Sequence, residues 1–138
     1  MKRPVKKKWD DKCNFHVSVD MFKVDIVFVC NCNEEETKDA LKEACGDNYL
    51  NFKKRDLKGW NDDIHLGRMI PFMGGFVVLL KGAGGCFRTF VSVMVHEITH
   101  VVQYLLRDRR IPLTEDTEEV HAYLAEYITR EALLKLYD

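Results

Sequence analysis

Two histidines and a glutamate are the residues of this chain whose types and spacing most clearly indicate chemistry. His96 and His100 are four positions apart, and Glu97 directly follows the first of them. On an α-helix, residues four apart project from one face about one turn apart, so both imidazoles can reach the same ion. Imidazole is a common zinc ligand, and a neighbouring carboxylate can take a proton from a zinc-activated water. The spacing therefore predicts a Zn²⁺ site with His96 and His100 as ligands and Glu97 as general base.

The segment that carries these residues is predicted to be a buried helix. Residues 86–107 are apolar nearly all round and are long enough to form a helix. Two histidines and a glutamate are costly to bury without a strong partner, and a metal ion would be such a partner. This context favours a metal site over an accidental occurrence of the motif.

A catalytic zinc site needs a third protein ligand and one open position for water. The candidates lie in the last part of the chain, where Glu118, Glu119 and His121 follow one another closely. A carboxylate would give a two-histidine site, and His121 would give a three-histidine site. The residue types alone leave these alternatives open.

The chain resembles the gluzincin metallopeptidases in the segment HEITH at residues 96–100 and the segment EEVHAYL at residues 118–124. It is most similar to the minimal gluzincins of phage and prophage-type proteins, over residues 74–137. The resemblance implies a zincin-like fold, peptidase activity and a third zinc ligand on a following helix, which by position is Glu119. The metzincin pattern is not matched, because a glycine and a third histidine are missing shortly after His100.

The resemblance has two further implications for the site. The strand at residues 76–80 is expected at the edge of the sheet, where its main chain would pair with an extended substrate. A side chain that stabilises the oxyanion is also expected. We favour Tyr123, which lies four residues after Glu119 and so on the same helical face. The alternatives are Tyr104, His65, His121 and Arg130.

Hydrophobic patterns predict the elements that position the motif. Residues 15–32 read as one long strand or two paired strands, residues 34–45 as an amphipathic helix, and residues 76–80 as a buried strand. Residues 47–73 are predicted to be loops with room for one short element. A last helix should start at a capping arrangement of Asp116 and Glu119 and end near residue 137. The predicted fold is α+β, a small, mainly antiparallel sheet packed on the active-site helix and a C-terminal helix.

Composition limits the class of protein and its partners. The length of 138 residues predicts a single domain at residues 13–138, after a basic and flexible tail at residues 1–12. The net charge of −1 argues against binding to nucleic acid or to an anionic membrane. The basic start is not followed by the apolar region of a secretory signal, and no apolar run approaches about 18 residues. Five irregularly spaced cysteines fit reduced thiols, so we expect a cytoplasmic protein.

Together these patterns favour a zinc metallopeptidase that acts on a peptide or protein substrate. Retention of Glu97 supports catalysis, since a purely structural metal site has no need for a general base. The alternative is a catalytically inactive, zincin-like metal-binding module that mediates an interaction. A fourth protein ligand closing the metal site would favour that alternative.

Overall fold

The computed structural model describes residues 11–46, 57–61, 65–72, 74–82 and 86–137. Within these residues the fold is α+β, as predicted, with a four-stranded mixed sheet and three α-helices. In chain order the elements are β1 (Cys13–Val19), a short 3₁₀ helix (Asp20–Phe22), β2 (Val24–Cys30), α1 (Glu34–Cys45), β3 (Gly67–Phe72), β4 (Gly75–Leu80), α2 (Phe87–Asp108) and α3 (Glu118–Tyr137).

The strands are arranged in the order β1-β2-β4-β3. β1 and β2 form an antiparallel pair, so residues 15–32 contain two paired strands. The chain reverses between them through the 3₁₀ helix and Lys23, which has a left-handed backbone with φ of 54°. β2 pairs with β4 in parallel, and β3 pairs with β4 in antiparallel orientation. Among the described strands, two of the three pairings are therefore antiparallel.

The prediction that residues 76–80 form a sheet edge is wrong. β4 lies inside the sheet between β2 and β3, and all six of its residues are buried. Among the described strands, β3 forms the edge on this side, and it falls in the region predicted to be mostly loops. Arg68 and Pro71 interrupt the apolar pattern of β3, and only long-range pairing shows that β4 is central. Of that region, residues 47–56, 62–64 and 73 lie outside the described residues.

Both faces of the sheet are covered by apolar side chains. One face packs against α2 and α3, and the other packs against α1 and Trp60. Alternate residues of β2 and β4 therefore enter different cores, as expected for parallel strands buried on both sides. The α2 face includes Ile26, Phe28, Phe76 and Val78, and the α1 face includes Val27, Val29, Val77 and Leu79.

Helix α1 occupies the range that its end signals predict. The Asn33 side chain accepts a hydrogen bond from the Glu36 main-chain N–H at 2.8 Å, and the Glu36 carboxylate accepts one from the Asn33 N–H at 3.1 Å. This reciprocal capping box fixes the first turn. The helix ends before Gly46, whose positive φ of 55° is readily adopted by glycine.

Helices α2 and α3 form an antiparallel hairpin. The rings of Phe87, at the start of α2, and Tyr137, at the end of α3, lie 5.4 Å apart and nearly perpendicular. α3 begins at Glu118, two residues after the predicted Asp116 cap. The Thr117 carbonyl accepts the first hydrogen bonds of the helix from Val120 and His121.

None of the helices in the described part of the chain has the length and apolar character that a membrane-spanning helix needs.

The end of the predicted basic tail contacts the domain. The Lys12 ammonium pairs with the Glu36 carboxylate, and the Asn31 side-chain amide donates to the Asp11 carbonyl at 2.9 Å. Both contacts lie close to the start of β1. Residues 1–10, the remainder of the predicted tail, lie outside the described residues.

Replacing Gly75 should test the close approach of β2 and β4. A Cβ at Gly75 would lie 1.9 Å from the Asp25 carbonyl oxygen, so Gly75→Ala forces the parallel strands apart. We expect the free energy of unfolding in urea to fall by about 3 kcal/mol. The exposed substitution Asp39→Ala should change it by less than about 0.5 kcal/mol. A similarly small change for Gly75→Ala would contradict the observed register.

Candidate metal centre

The two histidines of the motif meet on one side of α2. Their Nε2 atoms are 3.1 Å apart, and their ring centroids are 4.7 Å apart with the ring planes nearly perpendicular. Two ligands of one tetrahedral zinc, each about 2.1 Å from the ion, are about 3.4 Å apart. The separation also suits a hydrogen bond between the two rings. His96 and His100 thus already lie about as far apart as a shared zinc ion requires.

The apolar sequence of α2 predicts a helix that is buried all round, and this prediction is wrong. His96 and His100 are exposed, and Val95 keeps 41% of its surface accessible. Of the three motif residues, only Glu97 is buried, with 7% exposure. The difference arises because α2 packs on the sheet through one face, while its other side faces solvent. The ring nitrogens are therefore accessible to a metal ion without any opening of the core.

Glu97 is enclosed between α2 and the edge strand β3. A Cβ placed on Gly67 would lie 2.9 Å from both Cγ and Oε1 of Glu97, and 2.5 Å from Cγ1 of Val93. Such distances are closer than van der Waals contact, so a side chain at position 67 would force one of the elements to move. The glycine therefore allows β3 to lie directly against the carboxylate.

This enclosure changes the acidity of Glu97. Burial raises the pKa of its carboxyl group, while His100, His96 and Arg68 act in the opposite direction. Burial has this effect because it removes water that would stabilise the negative charge. A raised pKa makes the carboxylate a stronger proton acceptor, which suits a general base.

The main chain of β3 faces outward beside Glu97. The Lys81 N–H donates to the Leu66 carbonyl at 2.9 Å, which fixes the alternation of hydrogen bonds between β3 and β4. In that alternation, Gly67 and Met69 direct their N–H and C=O groups away from β4. Pro71 faces the same way and has no N–H to donate. This edge can pair with an extended peptide.

The candidates for the third ligand lie apart from the histidine pair. Glu118 and Glu119 are exposed in the first turn of α3. The ring Nε2 of His121 lies 3.0 Å from the Ile111 carbonyl, within hydrogen-bonding distance. In the part of the chain that the structure describes, no group of three or more His, Cys, Asp or Glu residues is placed to hold a metal. Glu119 as third ligand stays a prediction.

Tyr123, the favoured oxyanion stabiliser, lines a separate cavity. It is 66% exposed and borders a space of about 510 Å³ formed by α3, the end of β1 and the 3₁₀ helix, with no motif residue in its lining. Among the alternatives, Tyr104 lies seven residues after Glu97 on the same face of α2, with its ring edge against Phe76. His65 is exposed two residues before β3, and Arg130 borders another cavity on α3.

Sequence reasoning missed the contribution of β3 to the site. Its signals were present, because a glycine at the start of a short strand and a proline within it are typical of edge strands. Arg68 alternates with Gly67 and Met69 and points to the opposite face, where its guanidinium lies 5.3 Å from the centre of the Trp60 ring. On the face of β3 that is directed towards α2, the first residue is therefore Gly67, which has no side chain.

No family model, curated protein or solved structure significantly matches this chain. The gluzincin resemblance consequently stays a prediction based on two short segments. The function proposed below rests on the residues of this chain and on their geometry.

Gly67→Ala should reveal how tightly β3 and α2 pack. The added methyl group would overlap Val93 Cγ1, so we expect the free energy of unfolding to fall by roughly 1–3 kcal/mol. Val93→Ala removes the closest atom. The double variant should therefore lose at least about 0.5 kcal/mol less than the sum of the single losses. Urea denaturation of the wild type, the two single variants and the double variant measures this coupling. Strictly additive losses would contradict the contact between position 67 and Val93.

Proposed function

We propose that this protein is a zinc-dependent metallopeptidase that hydrolyses peptide bonds in an extended peptide or protein substrate. His96 and His100 hold the Zn²⁺ ion, and Glu97 acts as the general base. The observation that carries this proposal is the 3.1 Å approach of the two Nε2 atoms beside a buried carboxylate that lies against strand β3.

The two histidines suit zinc in type and in spacing. Neutral imidazoles are typical zinc ligands, and the exposed position of both rings leaves room for a further ligand and a water molecule. By resemblance to the gluzincins, we propose Glu119 as the third ligand. When bound, zinc supplies a Lewis acid that lowers the pKa of water and polarises the substrate carbonyl.

Glu97 moves the proton in this proposal. Its carboxylate accepts a proton from the attacking water and passes it to the amine that leaves when the peptide bond breaks. Enclosure against Gly67 keeps the carboxylate on the side of α2 that faces the strand edge. A substrate bound along that edge would lie close to the base.

The outward main chain of β3 is the proposed substrate platform. Gly67 and Met69 can exchange main-chain hydrogen bonds with an extended segment, which binds peptides with little dependence on their side chains. This assigns to β3 the role that was predicted for residues 76–80. Because Gly67 contacts Glu97, the paired segment would begin at the catalytic base.

We also propose a cytoplasmic location. All five cysteines are free thiols in the structure. A hydrogen bond with Cys13 and, after it, burial raise the pKa of Cys30, and burial raises the pKa of Cys32 and Cys45. A raised pKa keeps these thiols protonated and less reactive. Such cysteines suit a reducing compartment.

Zinc content tests the metal site directly. Protein purified without added metal, or reconstituted with zinc, should contain about one Zn²⁺ per chain, and the ion should be lost in His96→Ala and His100→Ala. Because bound metal stabilises the folded state, zinc should also raise the melting temperature of the wild type but not of these variants. Elemental analysis and thermal unfolding are the measurements.

The exposed His16 in β1 supplies the matched control, and His16→Ala should keep the metal. Zinc retained in His96→Ala would contradict the site. A zinc titration of the metal-free protein distinguishes the proposed third ligand from its alternatives. Glu119→Gln should weaken zinc binding by at least about tenfold, while Glu118→Gln and His121→Asn should not.

Glu97→Gln separates catalysis from metal binding. The amide keeps the size of the side chain but cannot accept the proton, so we expect hydrolysis of an internally quenched peptide mixture to fall by roughly 10²–10⁴-fold. Zinc content should stay at the wild-type value. Glu43→Gln, an exposed change on α1, is the control and should leave the rate unchanged. Full activity in Glu97→Gln would exclude the general-base role, and zinc binding without hydrolysis in the wild type would favour a metal-binding interaction module.

A further inference from the structure

The end of β3 that is farther from Glu97 borders a cavity. Glu97 and Tyr104 lie on one face of α2, and β3 runs from Gly67, beside Glu97, to Pro71. The cavity has a volume of about 340 Å³, within the range of small ligand sites. Its lining comes from β2, β3, β4 and the end of α2 and includes Lys23, Pro71, Phe76, Tyr104, Asp108 and Arg109.

Positive charge predominates around this cavity. Lys23 and Arg109 line it, and Asp108 is the one carboxylate among the described residues of the lining. The Asp108 carboxylate is 3.7 Å from Nε of Arg109 and offsets part of that charge. Two cations against one carboxylate leave the described lining with a net positive charge, which attracts an anionic group.

The end of α2 does not cancel this attraction. A helix C-terminus carries partial negative charge on its last carbonyl groups. Here the Leu105 carbonyl accepts from the Arg109 N–H at 3.0 Å, and the Leu106 carbonyl accepts from the Ile111 N–H at 2.7 Å. The Arg109 side chain is also held in place, since it donates to the Phe22 carbonyl at 3.1 Å.

The residue positions along β3 give the distance between this cavity and Glu97, the proposed general base. Gly67 and Pro71 are four residues apart, about 13 Å along a strand. Both belong to the set of residues that face α2 and direct their main chain outward. In a peptide paired with β3, the residues opposite Gly67, Met69 and Pro71 would therefore direct their side chains towards α2. The residue opposite Pro71 would face the cavity.

We propose that this cavity is a specificity subsite that binds the side chain of Asp or Glu in an extended peptide paired with β3. Lys23 and Arg109 supply the charge, and Tyr104 forms one wall. Since antiparallel pairing is the more stable, the acidic residue lies four positions towards the N-terminus from the residue opposite Gly67. The subsite rests on the proposed peptidase function, because that function places the peptide on β3.

Peptide scanning tests the subsite. A series of quenched peptides carries one Glu at successive positions N-terminal to the cleaved bond, each with a matched Gln peptide. We expect kcat/KM to favour Glu over Gln by roughly three- to tenfold at one position, as for a partly exposed ion pair. Lys23→Glu should reverse this preference towards a Lys-containing peptide. Lys58→Gln, an exposed change on the opposite face, should keep it.

A binding measurement keeps this test independent of hydrolysis. Fluorescence polarisation measures binding of the same peptides to zinc-loaded Glu97→Gln protein, and it should show the same preference for Glu. Salt should weaken this preference. The double variant Glu97→Gln/Lys23→Gln should lose it. Cleavage without Glu preference at any position would overturn the subsite and leave the peptidase proposal intact. Without cleavage, a preference that depends on Lys23 would still support the acidic site, while equal binding of Glu and Gln peptides would overturn it.

Discussion

The contact between Gly67 and Glu97 determines how the candidate site is assembled. Side chains normally keep a strand and the helix above it well separated. At position 67 there is none, so β3 comes close enough to enclose the glutamate carboxylate. That approach accounts for the burial of Glu97, for the direction in which its pKa moves, and for the position of β3 beside it. The proposed base, the histidine pair and the proposed peptide platform lie close together because one Cβ is missing.

The rotation of α2 about its axis decides which motif residues are buried. Its apolar face, which includes Phe90, Met94, Ile98 and Val101, packs into the core shared with the sheet. Glu97 lies at the boundary of that face, and the two histidines lie beyond it. An imidazole pair loses little hydration in this exposed position, whereas a general base gains proton affinity by partial burial. The same helix thus provides two different environments within one turn.

Local signals in the sequence predict much of this structure. The capping residues Asn33 and Glu36 with Gly46 fix α1, and the four-residue spacing of His96 and His100 predicts the meeting of their rings. The order of the strands could not be predicted, because it depends on pairing between distant segments. β3 was missed since Arg68 and Pro71 interrupt its apolar pattern. Whether Glu119 lies near the histidine pair depends on how α3 packs against α2, and the spacing between two helices in sequence does not determine their relative placement.

The parallel pairing of β2 with β4 has a kinetic consequence. Asp25 and Gly75 are register partners although fifty positions separate them in the chain. Closing a loop of that length costs conformational entropy before the new contacts repay it, whereas the β1–β2 and α2–α3 hairpins need only short loops. We expect these local hairpins to form early and the central pairing to limit the folding rate. The histidine pair, contained within one helical turn, would then be in place before the strand that encloses its neighbouring glutamate has docked.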